Sequence, residues 1–296
     1  MKKLSVLLVF VSSLFLCAAP SGNRIFTESY PDRKIVSIQD LPMSVSGKLF
    51  LCLNPRERFR LAPFYRASQN VFLIQDTRNG KHALIDVGFG KAESTLLKQL
   101  AALKIKPDDI SAIFITHIHP DHVGGLSTPE GKAVFPNAKV YIARKEYDEW
   151  RKDWNRSSLA KELKPVRENL ELVDYDKEVK PFGITPLYYP GHTPGHTVFR
   201  MQLALPDNKS KTIWFVGDIV HGVELQISRP QYCAKFDRDP ETAVRSRREL
   251  LEKATHWYGA HIPFPGIITI IREETPSGRT KYSFQSEPAK KPEVKK

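Results

Sequence analysis

The stretch Thr116-His117-Ile118-His119-Pro120-Asp121-His122 constrains this chain more than any other. Three histidines and an aspartate crowd together directly after the short apolar run Ala112-Ile113-Phe114-Ile115. A buried strand that empties into a loop is where α/β proteins place their chemistry. Two imidazoles separated by one residue of extended backbone point the same way, so His117 and His119 can grip one ion. Beyond the bend at Pro120, Asp121 and His122 can face a second. Neutral imidazole nitrogen and carboxylate oxygen are donors that zinc accepts, and they also suit iron and manganese. Gly124-Gly125 then lets the backbone turn tightly or approach a neighbour closely.

Around this cluster the pattern is that of alternating strands and helices. Asn70 to Gln75 and Ala83 to Val87 are rich in β-formers and flank the turn Arg78-Asn79-Gly80, which predicts a hairpin. Leu96, Leu97, Leu100 and Leu103 recur at helical spacing. Strands are expected at 140–142, 170–175, 187–189, 198–203, 212–216, 267–271 and 281–284, with a helix over 144–152. Asp239-Pro240 opens the clearest helix, with Asp as N-cap and Pro in its first turn. Two sheets in the middle with helices outside is the arrangement this order suggests. Residues 20–69 show weak periodicity and read as a lead-in that wraps the core, with a short strand at 48–53.

The N-terminus has the three parts of a secretory signal: Lys2 and Lys3, the apolar run Leu4 to Leu16, and the small residues Ala18-Ala19 before Pro20. The apolar run is short for a membrane span, so cleavage of residues 1–19 and a periplasmic or secreted protein without a stable membrane anchor are expected. Cys52 and Cys233 would then remain, a pair that could bridge in an oxidising compartment or stay as separate buried thiols. The formal charge of +12 loses two with Lys2 and Lys3 and favours anionic surroundings or an anionic substrate. Its basic residues are spread out, without the aromatic interleaving of a nucleic-acid module, so no specific nucleic acid is expected. Residues 285–296 read as a basic, disordered tail. Nothing in the sequence sets the oligomeric state.

The histidine cluster resembles that of the metallo-β-lactamase fold superfamily, and further positions match one by one. Pro190-Gly191-His192-Thr193-Pro194-Gly195-His196 looks like the loop that supplies the next metal-binding histidine, His192, leaving His196 a supporting or packing role. Phe215-Val216-Gly217-Asp218 looks like the strand end presenting a bridging carboxylate, and Gly259-Ala260-His261 like the last ligand loop. Asp86 matches the family's early Asp-x-Gly turn, which supports the metal loops. The resemblance covers about 70–271 and implies a four-layer αββα sandwich, with the domain spanning 70–284. It implies two divalent ions, zinc being expected: His117, His119 and His192 on one, Asp121, His122 and His261 on the other, Asp218 between them.

Within the superfamily the chain is most similar to the methyl parathion hydrolase-like branch, through 116–126, 190–196, Gly217-Asp218-Ile219-Val220-His221, Phe236-Asp237-Arg238-Asp239-Pro240 and 261–266. That implies hydrolysis of an ester, lactone or phosphotriester of a small-molecule substrate by a hydroxide shared between the ions, with Asp121 and Asp218 as working carboxylates. His221, three residues after Asp218, is expected to donate a hydrogen bond to the substrate oxygen or the leaving group. Phe89, Trp150 and Trp154 are candidates for an aromatic pocket wall, with core packing the competing role. His82 and His256 have no motif context and read as structural. A β-lactamase acting on β-lactams is the first rival, and Asp218 argues against it because zinc β-lactamases usually carry another residue there. A glyoxalase II would need a helical domain after His261, where 35 residues remain. A nuclease or a flavin-linked diiron reductase would need a further domain. From another class, a non-catalytic metal-binding protein could retain the fold, but the ligand set is complete.

Overall fold

Alternation along the strand that leads into the histidine cluster lays out the layers. In the computed structural model, which describes residues 14–16, 24–52, 61–152, 160–180 and 182–287, this strand is Ile110–Ile115. Ile113 and Ile115 join a buried cluster with Leu96 and Leu100 of a helix, whereas Ala112 and Phe114 turn to the other face and meet Phe199, Phe215 and Tyr258 of a second sheet. Period-two alternation on a sheet covered on both faces gives this double burial.

The chain order of the described strands is β1 (Leu14–Leu16), β2 (Ile25–Ser29), β3 (Arg33–Ser46), β4 (Phe50–Cys52), β5 (Phe64–Asp76), β6 (His82–Ile85), β7 (Ile110–Ile115), β8 (Lys139–Ala143) and β9 (Leu170–Val173). It continues with β10 (Ile184–Tyr188), β11 (Thr197–Ala204), β12 (Ser210–Gly217), β13 (Tyr232–Ala234), β14 (His256–Gly259), β15 (Ile267–Glu274) and β16 (Thr280–Ser286). One sheet runs β1-β3-β5-β6-β7-β8-β9 with β2 on β3, and the other runs β10-β11-β12-β14-β15-β16. Strands β6 to β9 are parallel and need crossovers, which α1 (Leu96–Ala102), α2 (Pro120–Val123), α3 (Arg144–Arg151) and α4 (Ala160–Leu163) supply. The second sheet is antiparallel except for β12 and β14, whose crossover contains α5 (Val223–Gln226) and α6 (Pro240–Lys253).

Helix α6 shows how the outer layer attaches. The Asp239 side chain caps it by accepting from Thr242 N at 3.0 Å, Pro240 opens it, and Leu250 and Leu251 join Val198, Val216 and Trp257 under its inner face. With helices outside each sheet and Phe72, Phe114, Phe199 and Phe215 between them, the molecule is a four-layer αββα sandwich.

The lead-in expected over 20–69 is more deeply built in than its weak periodicity suggests. Strand β3 alone spans 14 residues and pairs with β5 along nearly its whole length. Its pattern is broken in the sequence by Asp40 and Pro42, and the register is irregular at Asp40, between Gln39 and Leu41. Asp40 is fully buried there and caps α1, accepting from Thr95 N at 2.8 Å and Leu96 N at 3.0 Å. The strand expected at 48–53 is the shorter β4, paired with β13. That register sets Cys52 opposite Tyr232 and Cys233 opposite Leu51, so the two side chains leave opposite faces and do not bridge each other. Strand β16 extends to Ser286, two residues into the expected tail, and the remainder from 288 lies outside the described residues, as does the leader except for the backbone of β1. Among the described residues no helix is long and apolar enough to cross a membrane.

Candidate metal centre

Four loops at one end of the sandwich converge: the one after β7 with His117, His119, Asp121 and His122, the β10–β11 loop with His192, the one after β12 with Asp218, and the β14–β15 loop with His261. One ligand atom from each of His117, His119, His192 and Asp218 lies within 4.8 Å of the others, and so it does for Asp121, His122, Asp218 and His261. Asp218 belongs to both groups. His119 Nδ1 is 3.0 Å from His117 Nε2 and 2.9 Å from His192 Nε2. His261 Nε2 is 3.1 Å from Asp218 Oδ2 and 3.2 Å from Asp121 Oδ2. Donors held at about 2.0–2.1 Å from a tetrahedral ion lie roughly 3 Å apart, and these spacings match.

The rings are held from behind. His122 Nδ1 donates to Asp86 Oδ2 at 2.7 Å, His192 Nδ1 to Asp237 Oδ1 at 2.9 Å and His261 Nδ1 to the Ser68 carbonyl at 3.1 Å. Thr116 Oγ1 donates to Asp86 Oδ2 at 2.8 Å and accepts from His117 Nδ1 at 3.1 Å. Each anchor fixes the tautomer and leaves Nε2 facing the centre, the arrangement that orients metal-binding histidines. His122 Nε2 and Asp218 Oδ1, 3.1 Å apart, are buried without hydrogen-bond partners among the described residues. Buried polar atoms of this kind call for a partner, and a cation fits between them. His196 differs. Its Nδ1 donates to the Tyr189 carbonyl at 3.1 Å and its Nε2 accepts from Asp218 N at 3.0 Å, so both nitrogens are used in placing the Asp218 backbone. Gly217, at φ 51°, makes this possible, since a Cβ there would lie 2.7 Å from His196 Nε2.

Electrostatics point the same way. Burial opposes charge on every one of these groups, but Asp218 and Asp237 lift His192 to about 9, and Asp218 and Asp121 lift His261 to about 10. For His117 and His119 burial prevails, reinforced by His122 and His192 respectively, and holds both well below the ordinary imidazole value. Asp218 stays well below the usual carboxylate range despite burial because His261 and His122 face it, and Asp121 does so because of His122. Ionised carboxylates converging with ring nitrogens are the donor set of a divalent cation.

His221 stands at the rim of this group. Its Nε2 is 3.1 Å from Asp218 Oδ2, its ring stacks on His261 at 5.2 Å, and its Nδ1 has no partner among the described residues. Phe236 lies edge-on to His221 at 4.7 Å and to His192 at 5.8 Å. On the other side Trp150 is edge-on to His119 at 5.7 Å. Phe89 instead packs beside Phe50 and Tyr65 under the Lys91 side chain, and Trp154 lies outside the described residues. His256 pairs with Thr269 on neighbouring strands and His82 sits in β6, and neither belongs to either group of ligand atoms.

Several supporting residues had no role in the sequence reading. Asp237 was visible only as part of a matching run. Gln69 Nε2 donates to the Asp121 carbonyl at 2.7 Å, and Asn70 Nδ2 to the carbonyls of Gly259 and Ile262 at 3.0 and 2.6 Å, so the middle of β5 carries two of the four loops. A buried amide within a strand pattern was the available signal. Glu146 on α3 is completely buried and bonded to two loops at once.

The chain is similar to known proteins in the same terms. It is 33% identical over 160 residues to the N-acyl homoserine lactonase AiiA of Bacillus thuringiensis subsp. kurstaki, covering 54% of this chain and 57% of that protein. To the N-acyl homoserine lactonase AttM of Azorhizobium caulinodans it is 31% identical over 117 residues, 36% of this chain and 41% of that one. It thus spans about half the length of the curated relatives it matches. Among solved structures it shares the fold of the hydrolase AbOPH of the beta lactamase superfamily, with TM-score 0.75, 24% identity and coverage of 92% of this chain and 100% of that one. It also shares the fold of AidC, a dizinc quorum-quenching lactonase, with TM-score 0.74, 24% identity and coverage of 90% and 98%. The sequence model of the metallo-β-lactamase superfamily matches residues 65–255, and the chain belongs to that superfamily.

Proposed function

We propose that this protein is a metal-dependent hydrolase that holds two divalent ions, zinc being the expected metal, and opens a lactone or related ester of a small molecule. The observation that carries this is Asp218 shared between two groups of ligand atoms whose rings are fixed from behind. His117, His119, His192 and Asp218 would hold one ion, and Asp121, His122, His261 and Asp218 the other. Bound there, such ions acidify water to a nucleophile at neutral pH and polarise the carbonyl or phosphoryl oxygen. The residues supply orientation and charge placement: Asp218 balances positive charge from both sides, and His221, whose Nε2–H meets Asp218 Oδ2 at 3.1 Å, places a hydrogen-bonding ring beside the reacting groups. Phe236 and Trp150 flank the centre and would exclude water from the reacting bond.

Lactones are favoured because curated relatives are described as N-acyl homoserine lactonases and AidC as a lactonase. Esters and phosphotriesters remain within reach of the same chemistry. Metal analysis with a panel of N-acyl homoserine lactones, aryl esters, a phosphotriester and a β-lactam tests the reading. Two bound ions and fastest turnover on a lactone are expected, and a preference for the β-lactam or full metal content without turnover would overturn it. The lysine-flanked apolar run at 2–16 supports export, which the N-terminal sequence of the mature protein would check.

A further inference from the structure

The geometry assigns to Glu146 the role of a positioning residue that sets the His117–His119–His192 half of the centre. This rests on the two-ion reading above. An acidic residue in the first turn of a helix ordinarily faces solvent and answers the helix dipole. Glu146 is instead fully buried and receives four donors. Oε1 accepts from Ile118 N at 2.8 Å and Trp150 Nε1 at 2.7 Å, and Oε2 from Thr193 Oγ1 at 2.8 Å and Gly195 N at 3.0 Å.

Three of these donors come from the residue between His117 and His119 and from the residues just after His192. One carboxylate therefore sets the distance between the two loops that must bring His119 Nδ1 and His192 Nε2 together. Trp150, which lies against the His119 ring, is fixed by the same group. A second observation agrees. A Cβ on Gly195 would lie 2.3 Å from Glu146 N and 2.4 Å from its Cα, so the loop touches the backbone of α3 at the carboxylate. The contacts of Asp86 are with Thr116 and His122, whose Nε2 serves the other group of ligands. Asp237 stands behind His192 and Asp86 reaches His117 through Thr116, so Glu146 differs from both in holding two loops together rather than a ligand ring.

Both oxygens of Glu146 act only as acceptors, so glutamine is not a neutral replacement. Its amide NH2 would face two donors whichever way it turned. The test is zinc affinity of the metal-free protein, measured by competition with a chromophoric chelator. The wild type should take up two ions, and fewer than two overturns the metal reading and this inference with it. His261→Ala leaves the His117–His119–His192 group, and adding Glu146→Gln should weaken its ion by about 10–100-fold. His192→Ala leaves the other group, and there Glu146→Gln should change affinity by no more than about twofold, as for an uncoupled site. Equal losses in both backgrounds, or none in either, overturn the assignment while the two-ion reading stands. Thermal unfolding of the metal-free variants reports whether the fold is kept. If Glu146→Gln does not fold, Thr193→Val removes one donor and should give a smaller loss confined to the same half, and an unchanged affinity there overturns the role.

Discussion

His221 stands beside the centre, with one nitrogen on Asp218 and the other without a partner among the described residues. A loop histidine that merely served its own backbone would spend its ring nitrogens locally. Here the backbone N–H is instead satisfied by Gln226 Oε1 at 2.7 Å, and the ring is left for the site. Replacing it by alanine should lower turnover by about 100-fold with metal content unchanged, read from steady-state kinetics beside metal analysis. Loss of metal on the same substitution would make it a ligand. At this scale His117, His119, Asp121 and His122 were legible because their ligand atoms are close in sequence as well as in space. His192, Asp218 and His261 became legible only through the family pattern around them. Glu146 was not legible, since apart from Trp150 its partners lie 28 to 49 residues away and no local spacing marks them.

Among the elements, the β5–β6 hairpin was read correctly, because alternation and the Asn79-Gly80 turn are local signals. Its turn also carries a pH-dependent pair. Asp76 accepts from Arg78 N and Nε, both at 3.0 Å, and from Nη2 at 2.7 Å, which pulls its carboxyl down to about 2 from an ordinary 3.8. A depressed folded value means the stabilisation is complete above 3.8 and disappears as pH falls through about 2. Asp76→Asn should therefore unfold at lower urea concentration than wild type at neutral pH, with the gap closing over that acid window. A gap that persists at the lowest pH would show that the pair does not act through ionisation. Strand β3 was not read as one element. Asp40 and Pro42 break its pattern, and the helix end that Asp40 caps is 55 residues further on. Strand β14 was missed for its brevity.

For the whole molecule, the layer between the sheets is the apolar core that both sheets share. Phe114 is fully buried, stacked on Tyr141 at 4.9 Å and edge-on to Phe199 at 5.6 Å across the sheet gap. Phe114→Ala should cost about 3–5 kcal/mol, measured from urea unfolding of the metal-free protein. A cost near zero would mean that the two sheets do not share a core at this point. Four loops reach one end of the sandwich only because both sheets are held in register by that layer. The amino-acid sequence by itself determined the strand entering the cluster, the pairing of hairpin and helix signals, and the donor chemistry of 117–122, all of which depend on neighbours within a few residues. The tertiary structure alone decided which carboxylate stands behind which histidine, that β3 runs through its polar interruptions, and that Cys52 and Cys233 point apart. Those depend on hydrogen bonds and register between segments distant in the chain, where the free energy of a buried polar group is set by a partner that no local pattern announces.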